Sequence, residues 1–190
     1  MTIACVVIAS ANRKHMVRDQ VIPSVLAQPF SEIVVVADYE TDLPFHGLRW
    51  LVVEPLTATT IDALVKRDVG TLATTAEWIV YLCDDHAIRQ IPERYPPGKL
   101  IGVPTRFCTV DGKHIPLNAG LEGQNAPYCG GHAGLFPRAM IQRRPWSSMP
   151  HHRLWDVLST RLLVQDGATL VGPLEDLVIE DLEPERRPWQ

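Results

Sequence analysis

Cysteine is scarce in the sequence, and the four cysteines form no known motif. Cys5, Cys83, Cys108 and Cys129 are widely spaced, and no two of them make a C-x-x-C pair. This spacing argues against a disulfide framework and against a cysteine-rich structural zinc site. We therefore expect a protein of a reducing compartment, the cytoplasm.

Long apolar runs and an excess of positive charge are also absent. The first apolar run covers only residues 3–9 and has no basic leader before it, whereas a transmembrane helix needs roughly 20 apolar residues. The formal net charge of the 190 residues is −4, which leaves no basic face for the backbone of a nucleic acid. We expect a soluble protein without a membrane span and without nucleic-acid backbone binding.

The sequence does contain an alternation of short apolar runs and helical patterns. The apolar runs at residues 3–9, 33–37, 48–53, 78–82 and 100–103 are typical of buried parallel strands. Helical spacing covers residues 13–28, where Pro23 interrupts it, and a stretch that begins at Thr59 or Thr60 and reaches Ala76. The alternation predicts a single α/β domain with a mostly parallel central sheet and helices on both faces.

Glycine and proline become frequent after residue 90. Residues 91–98 are predicted to form a surface loop, Asp111-Gly112 favours a hairpin turn within 107–117, and the five glycines of 118–134 predict a loop beside a site. A last helix is predicted at 153–165 and a returning strand at 169–171. Residues 183–190 are charged and contain proline, and we expect them to form a frayed tail.

The sharpest local feature is a pair of carboxylates directly after an apolar strand. Residues 78–82 lead into Cys83, Asp84, Asp85 and His86. In open α/β sheets ligands bind outside the carboxyl ends of the strands, and carboxylates bind Mg²⁺ and Mn²⁺ together with substrate phosphates. A solvated turn that caps the next segment is the alternative interpretation. The buried strand before the pair brings the two interpretations to parity.

The first ninety residues resemble the family 2 type of inverting glycosyltransferase, which has the GT-A fold. As in that family, an Asn-Arg pair follows the first strand, an acidic residue ends the second, an Arg-x-x-Gly segment lies in the next helix, and the acidic pair ends the following strand. The matching positions are Ser10, Asn12 and Arg13, then Asp38, then Arg67 and Gly70, and finally Asp84 and Asp85.

The resemblance implies a nucleoside-diphosphate-sugar donor, a hydroxyl acceptor and a divalent cation, Mn²⁺ or Mg²⁺. It implies that Asp85, Asp84 and His152 hold the cation, and that Asp156 takes the proton from the acceptor hydroxyl as general base. By the same resemblance, two glycines of the glycine-rich segment join the donor-binding residues, which are Ser10, Asn12, Arg13, Asp38, Arg67, Gly70, Asp84, Gly130 and Gly131.

The resemblance also divides the domain, residues 1–182, into a nucleotide-sugar-binding half (1–90) and an acceptor and catalytic half (91–182). Three positions depart from the family pattern. Cys83 replaces the first acid of the common Asp-x-Asp motif, Asp68 replaces an Asn, and Trp155 replaces the Glu that often precedes the base. The change at Cys83 leaves the exact ligand set of the metal open.

Two alternatives stay open. A non-catalytic nucleotide-sugar-binding module fits the changes at Cys83 and Trp155. A nucleotidyltransferase shares the architecture, but such enzymes usually have a glycine-rich loop after the first strand, and residues 10–14 contain no glycine. The sequence does not determine the nucleotide, the sugar or the acceptor, and it does not decide between inversion and retention at the anomeric carbon. A homodimer that completes the acceptor side is a further option.

Overall fold

The protein forms one mixed sheet with helices packed on it. The computed structural model describes residues 1–41, 46–56, 59–93, 100–109, 114–115, 134–149 and 155–183. Within these ranges the strands are β1 (Ile3–Ala9), β2 (Glu32–Ala37), β3 (Arg49–Val52), β4 (Trp78–Cys83), β5 (His86–Gln90), β6 (Leu100–Thr109), β7 (His114–Ile115), β8 (Leu135–Pro137) and β9 (Thr169–Asp181).

The helices of the described ranges follow the predicted alternation. They are α1 (Lys14–Met16), α2 (Ile22–Leu26), α3 (Thr59–Ala73), α4 (Arg138–Arg143) and α5 (Trp155–Gln165). Between α1 and α2 the chain stays helical as a π-helix, Val17–Val21, and 3₁₀ turns form at Ala11–Arg13 and Trp146–Ser148. No helix in the described part of the chain combines the length and apolar character that crossing a bilayer requires.

The sheet has the strand order β3-β2-β1-β4-β8-β6-β9-β5, and β7 pairs with β6. The four strands β3, β2, β1 and β4 are all parallel. β8 lies between β4 and β6 and is antiparallel to both. β5 is antiparallel to β9, whereas β6 and β9 are parallel to each other. The predicted α/β class with a mostly parallel sheet is confirmed.

The two faces of β1 bury into two separate cores. Cys5 and Val7 point to the face that packs against Val21 and Val25 of the first helical segment. Val6, between them, points to the opposite face, where the cluster includes residues of α3, α4 and α5. A strand buried on both faces needs apolar residues at every position, which is why residues 3–9 are a continuous apolar run. Helices therefore cover both faces, as predicted.

Pro23 does not end the first helical segment. It lies in the first turn of α2, directly after the π-helical Val17–Val21. Proline is tolerated inside this continuous helical segment because the π-helical turn before it already departs from regular i→i−4 bonding, as the Ile22 N–H bond to the Val17 carbonyl oxygen shows. The neighbouring Ser24 hydroxyl donates to the Val21 carbonyl oxygen at 2.7 Å and accepts the Ile88 N–H at 3.1 Å, which ties the segment to β5.

The second half departs further from the predicted elements. β5, β8 and α4 were not predicted, and β9 continues from the predicted residues 169–171 to Asp181. The antiparallel pairing of β6 and β7, with Phe107 opposite Ile115, agrees with the predicted hairpin. The turn itself, residues 110–113, lies outside the described residues, as do 94–99 and 116–133.

Candidate functional site

Three polar residues meet where the parallel strands end. Ser10 follows β1, Asp38 follows β2 and Asp84 follows β4. Because these strands are parallel neighbours, their carboxyl ends lie at one edge of the sheet. The end of β9 reaches the same edge, since the Leu182 N–H donates to the Asp85 carbonyl oxygen at 2.8 Å. Three of the predicted donor-site residues, Ser10, Asp38 and Asp84, thus lie at one edge.

Asp84 is bonded to protein groups through both carboxylate oxygens. Its Oδ2 accepts hydrogen bonds from the Ser10 backbone N–H, at 3.0 Å, and from the Ser10 hydroxyl. Its Oδ1 accepts from Arg13 Nη1 at 2.9 Å. The side chain is only 8% exposed. Asp84 therefore ties the end of β4 to the end of β1.

Arg13 contacts three carboxylates from two parts of the chain. Besides Asp84, its guanidinium lies 3.4 Å from Asp85 Oδ2 and donates to Glu183 Oε2 at 2.8 Å. Partial burial lowers the pKa of Arg13, but the charges of Asp85, Asp84 and Glu183 outweigh this and raise it further above its ordinary value. Glu183, the first residue of the predicted frayed tail, forms this ion pair with Arg13, and the tail itself stays a prediction. Residues 184–190 lie outside the described residues.

Asp38 braces the turn after β1. Its Oδ1 accepts the Ala11 N–H at 2.7 Å, and its Oδ2 accepts from Lys66 Nζ at 3.0 Å. Lys66 is buried and also bonds the Ala9 carbonyl oxygen at 3.1 Å and Asp62 at 2.7 Å. Lys66 was not predicted as a site residue, although its i,i+4 spacing from Asp62 on α3 was a readable signal. A buried ammonium needs such partners, so this set of bonds fixes Asp38 in place.

Arg67, the neighbour of Lys66, reaches the last residue of β4. It is buried, and its Nη2 donates to Cys83 Sγ at 3.7 Å, while its guanidinium carbon lies 5.7 Å from the centre of the Trp146 ring. Asp68, which stands where the family has Asn, accepts the backbone N–H groups of Trp146 and Ser147 at 2.7 and 2.9 Å. Both residues thus join α3 to the turn Trp146–Ser148, and Arg67 faces the metal-motif strand.

Cys83, Asp85 and His86 bring three potential metal-binding atoms together. A sulfur, a carboxylate oxygen and an imidazole nitrogen from these residues all lie within 4.8 Å of one another. His86 Nδ1 is 2.6 Å from Asp85 Oδ1. Burial lowers the pKa of His86, but the Asp85 charge and hydrogen bonds to Asp85 and Cys83 outweigh it and raise the pKa to about 9. This donor set fits a divalent cation, with a softer character than an all-oxygen site.

The grouping differs from the predicted metal ligands. Among the described residues it joins Asp85 to Cys83 and His86 and does not include Asp84. His152, the third predicted ligand, lies outside the described residues. Cys83 and His86 were visible beside Asp85 in the sequence, but only the two-residue turn between β4 and β5 shows that their side chains converge.

Gly70 is explained by packing. A Cβ atom at this position would lie 2.2 Å from Val6 Cγ1, so α3 can approach β1 only with glycine here. The group that approaches Gly70 closely is therefore a core valine. Its part in donor binding stays a prediction. Asn12 is exposed in the turn Ala11–Arg13, and its donor contact also stays a prediction.

The predicted residues of the second half are placed only in part. Gly130 and Gly131 lie outside the described residues. Asp156 is in the first turn of α5 by its backbone, and its side chain lies outside the description. Their roles stay predictions. Tyr39, which was not predicted, follows Asp38 and packs edge-on against Trp50 with ring centres 5.4 Å apart.

Known proteins share the fold of the chain but not its sequence. Neither protein-family models nor curated proteins match it. Among solved structures, TarS from S. aureus superposes with a TM-score of 0.59 at 13% identity over 97% of this chain and 37% of its own. TarS 1–349 in complex with UDP-GlcNAc superposes with a TM-score of 0.58 at 12% identity, over 95% of this chain and 59% of its own. The mannosyltransferase PcManGT from Pyrobaculum calidifontis in complex with GDP-Man and Mn²⁺ has a TM-score of 0.61 at 16% identity, over 96% of this chain and 57% of its own.

The chain has the GT-A fold. Identities of 12–16% establish the fold alone. The chain spans less than two thirds of the length of each of these structures.

Proposed function

We propose that the chain is a metal-dependent glycosyltransferase that moves a sugar from a nucleoside-diphosphate sugar to an acceptor hydroxyl. The observation that carries this proposal is the set of carboxylates at the ends of the parallel strands, with Asp85 beside two further metal-binding side chains. The complexes of TarS with UDP-GlcNAc and of PcManGT with GDP-Man and Mn²⁺ support it, because all share this fold.

Asp38 is suited to hold the base of the nucleotide. The Ala11 N–H and the Lys66 ammonium fix its carboxylate, and an ionised carboxylate has further lone pairs with which to accept a base N–H. Tyr39 and Trp50 add a half-buried aromatic wall next to it. Because these contacts exist before the ligand binds, little ordering is required on binding.

Asp85, with His86 and Cys83, is proposed to hold the cation near the diphosphate. A bound cation there supplies Lewis-acid stabilisation of the charge on the departing diphosphate. Asp84 and Ser10 position the turn that carries Asp85, and Arg13 shares its positive charge among the three carboxylates that face it. Asp156 is proposed as the general base that accepts the acceptor hydroxyl proton, which implies inversion at the anomeric carbon.

A thermal-shift screen tests the donor site. UDP, GDP, dTDP and CMP are each added with and without Mn²⁺, and binding at a hundredfold excess over Kd stabilises the folded state by about 2.7 kcal/mol. We expect one nucleoside diphosphate to raise the Tm only with Mn²⁺, and the shift to be lost in Asp85→Asn. Asp19→Asn is the matched control, because Asp19 is exposed and pairs with Arg18. No shift with any nucleotide contradicts the proposal.

A non-catalytic nucleotide-sugar-binding module is the second candidate, and Cys83 in place of an acid favours it. The two candidates differ in turnover. Release of nucleoside diphosphate from UDP-GlcNAc or GDP-Man, measured with Mn²⁺ present, indicates a transferase that uses water as a slow acceptor. Binding without release, in a protein that passes the thermal-shift test, favours the module.

A further inference from the structure

The strand end that carries Asp85 also carries a thiol and an imidazole. Cys83 is the last residue of β4 and is partly exposed, and His86 is the first residue of β5 and is buried. Only Asp84 and Asp85 separate them, so the chain folds back on itself within a two-residue turn. This turn points the three side chains at one another, with their potential ligand atoms within 4.8 Å.

The spacing of these atoms suits a single ion. Bonds of about 2.0–2.3 Å from a transition metal to nitrogen, oxygen and sulfur place two ligands of one ion at most about 4.6 Å apart. All three atoms lie within 4.8 Å of one another, so small shifts bring them to one ion, and the 2.6 Å contact between His86 Nδ1 and Asp85 Oδ1 gives way to it. Three protein ligands also leave coordination positions for a substrate oxygen, as in catalytic sites.

The donor types determine which ions fit. Mg²⁺ demands oxygen ligands in near-octahedral geometry and has little affinity for sulfur. Thiolate and imidazole favour Zn²⁺ and Co²⁺, with Mn²⁺ intermediate. The residue that would complete an oxygen shell, Asp84, has both oxygens bonded to Ser10 and Arg13. The available set is therefore one sulfur, one nitrogen and one carboxylate.

The surroundings of Cys83 favour a sulfur ligand. Arg67 Nη2 donates to the Cys83 sulfur at 3.7 Å, which holds the sulfur in place at the end of β4. Arg67 is itself fixed by burial and by the Trp146 ring at 5.7 Å. A positive group that is held in position behind the sulfur is the kind of supporting contact that metal ligands have.

We propose that Cys83, Asp85 and His86 form a mixed sulfur, oxygen and nitrogen site that binds Co²⁺ and Zn²⁺ more tightly than Mn²⁺, and Mn²⁺ more tightly than Mg²⁺. This inference rests on the proposed function, because it specifies which cation serves the donor site. It assigns the ligand role of the missing first acid to a thiolate.

Cobalt spectroscopy tests the site without any nucleotide. The reduced protein, stripped of metal with a chelator, is titrated with Co²⁺, and we expect a sulfur-to-cobalt charge-transfer band in the near ultraviolet. Cys83→Ser is expected to remove the band. It is also expected to weaken Co²⁺ binding by at least the roughly 10- to 100-fold that follows the loss of a group supporting a ligand. Cys5→Ala is the matched control that leaves the band unchanged, because Cys5 is buried in β1 opposite Val80 and away from Cys83.

A second variant keeps the test decisive if Cys83→Ser folds poorly. Cys83→Asp restores an all-oxygen motif, and we expect it to bind Mg²⁺ more tightly than the parent protein and to give no charge-transfer band. Circular dichroism checks that both variants are folded. A parent protein without the band, a band that survives Cys83→Ser, or equal affinity for Mg²⁺ and Co²⁺ overturns the inference.

The nucleotide screen separates this inference from the proposed function. If the cobalt band is missing while a nucleoside diphosphate still raises the Tm with Mn²⁺, the thiolate site is wrong and the donor site stands. If the band is present but no nucleotide binds, the metal site stands and the transferase proposal is wrong.

Discussion

Asp84 and Asp85 are adjacent in the chain but have different partners. Asp84 is bonded through both oxygens to Ser10 and Arg13. Asp85 faces His86 and lies 3.4 Å from Arg13. The first carboxylate therefore holds the ends of β1 and β4 together, whereas the second belongs to the candidate metal site of Cys83, Asp85 and His86. The difference gives the two residues separable effects on stability and on binding.

Substituting each of these aspartates by asparagine separates stability from binding. Asp84→Asn weakens charge-assisted hydrogen bonds to Ser10 and Arg13, and we expect it to lower the free energy of unfolding by about 1.5–3 kcal/mol. Asp85→Asn is expected to cost less stability but to abolish Mn²⁺-dependent nucleotide binding. Urea unfolding and the nucleotide thermal shift measure the two effects. The opposite pattern, with Asp85 the more stabilising residue, contradicts this assignment.

Glu32 gives the stability a dependence on pH. Its carboxylate accepts the Thr75 N–H at 3.0 Å and the Thr75 hydroxyl at 2.6 Å, and Arg49 lies 3.4 Å away. Burial raises the pKa of Glu32, but hydrogen bonds from Thr75 and Thr74 and the charge of Arg49 outweigh it and lower the pKa below its ordinary value. The ionised carboxylate thus stabilises the folded state above the pKa of the unfolded chain, and this contribution disappears as the pH falls through the lower folded pKa.

Glu32→Gln tests this dependence. We expect the substitution to lower the free energy of unfolding at neutral pH and to cost progressively less as the pH falls into the acid range. Urea unfolding at several pH values measures the difference, with Glu54→Gln at an exposed position as control. A cost that is the same at neutral and acid pH shows that the charge of Glu32 does not contribute.

At the scale of elements, the contact between α3 and β1 depends on one missing side chain. Gly70→Ala places a Cβ 2.2 Å from Val6 Cγ1, so the helix or the strand must shift. We expect overpacking to cost about 1–3 kcal/mol. Alanine gains roughly 1 kcal/mol over glycine in a helix, so the net loss of stability is up to about 2 kcal/mol. Urea unfolding of the single variants and of Gly70→Ala with Val6→Ala measures the coupling.

The double variant provides the control for this contact. Val6→Ala alone leaves a cavity and costs stability, but it also makes room for the new methyl group. The combined loss is therefore expected to be smaller than the two separate losses added together. Additive losses, or a Gly70→Ala protein as stable as the parent, show that Val6 is not the constraint.

The elements that could be predicted are those whose own residues show a hydrophobic pattern typical of a strand or helix. β1 matches the predicted residues 3–9 at both ends, because a strand buried on both faces is apolar throughout. β5 begins with His86 and ends with Arg89-Gln90, so its pattern does not indicate a strand, and it forms by pairing with the distant β9. β9 likewise contains Gly172, Pro173 and acidic residues, and its pairing with β6 and β5 overrides them.

The candidate site shows the same division. Ser10, Asp38 and Asp84 could be predicted because each directly follows a readable strand. The i,i+4 spacing of Lys66 from Asp62 was readable. The contacts of Lys66 with Asp38 and of Glu183 with Arg13 could not be predicted, since they span 28 and 170 positions of the chain. Sequence separation of this size leaves no periodic signal.

At the scale of the whole molecule, the parallel strands supply a rigid edge and the later segments complete it. The four parallel strands fix the carboxylates, and the end of β9 closes the edge through Leu182 and Glu183. The chain spans 37–59% of the GT-A structures it resembles. The proposed donor site lies at this edge, among residues of β1, β2 and β4 and the turns that follow them.

Calorimetric titration with a nucleoside diphosphate tests the central claim most directly. The parent protein and Asp85→Asn are each titrated with UDP and with GDP, in Mn²⁺ and in chelator. The account predicts a single site that binds one of the two only in Mn²⁺, and no binding to Asp85→Asn in either condition. Binding that is equally tight in chelator, or unchanged in Asp85→Asn, would contradict a metal-dependent donor site at this strand end.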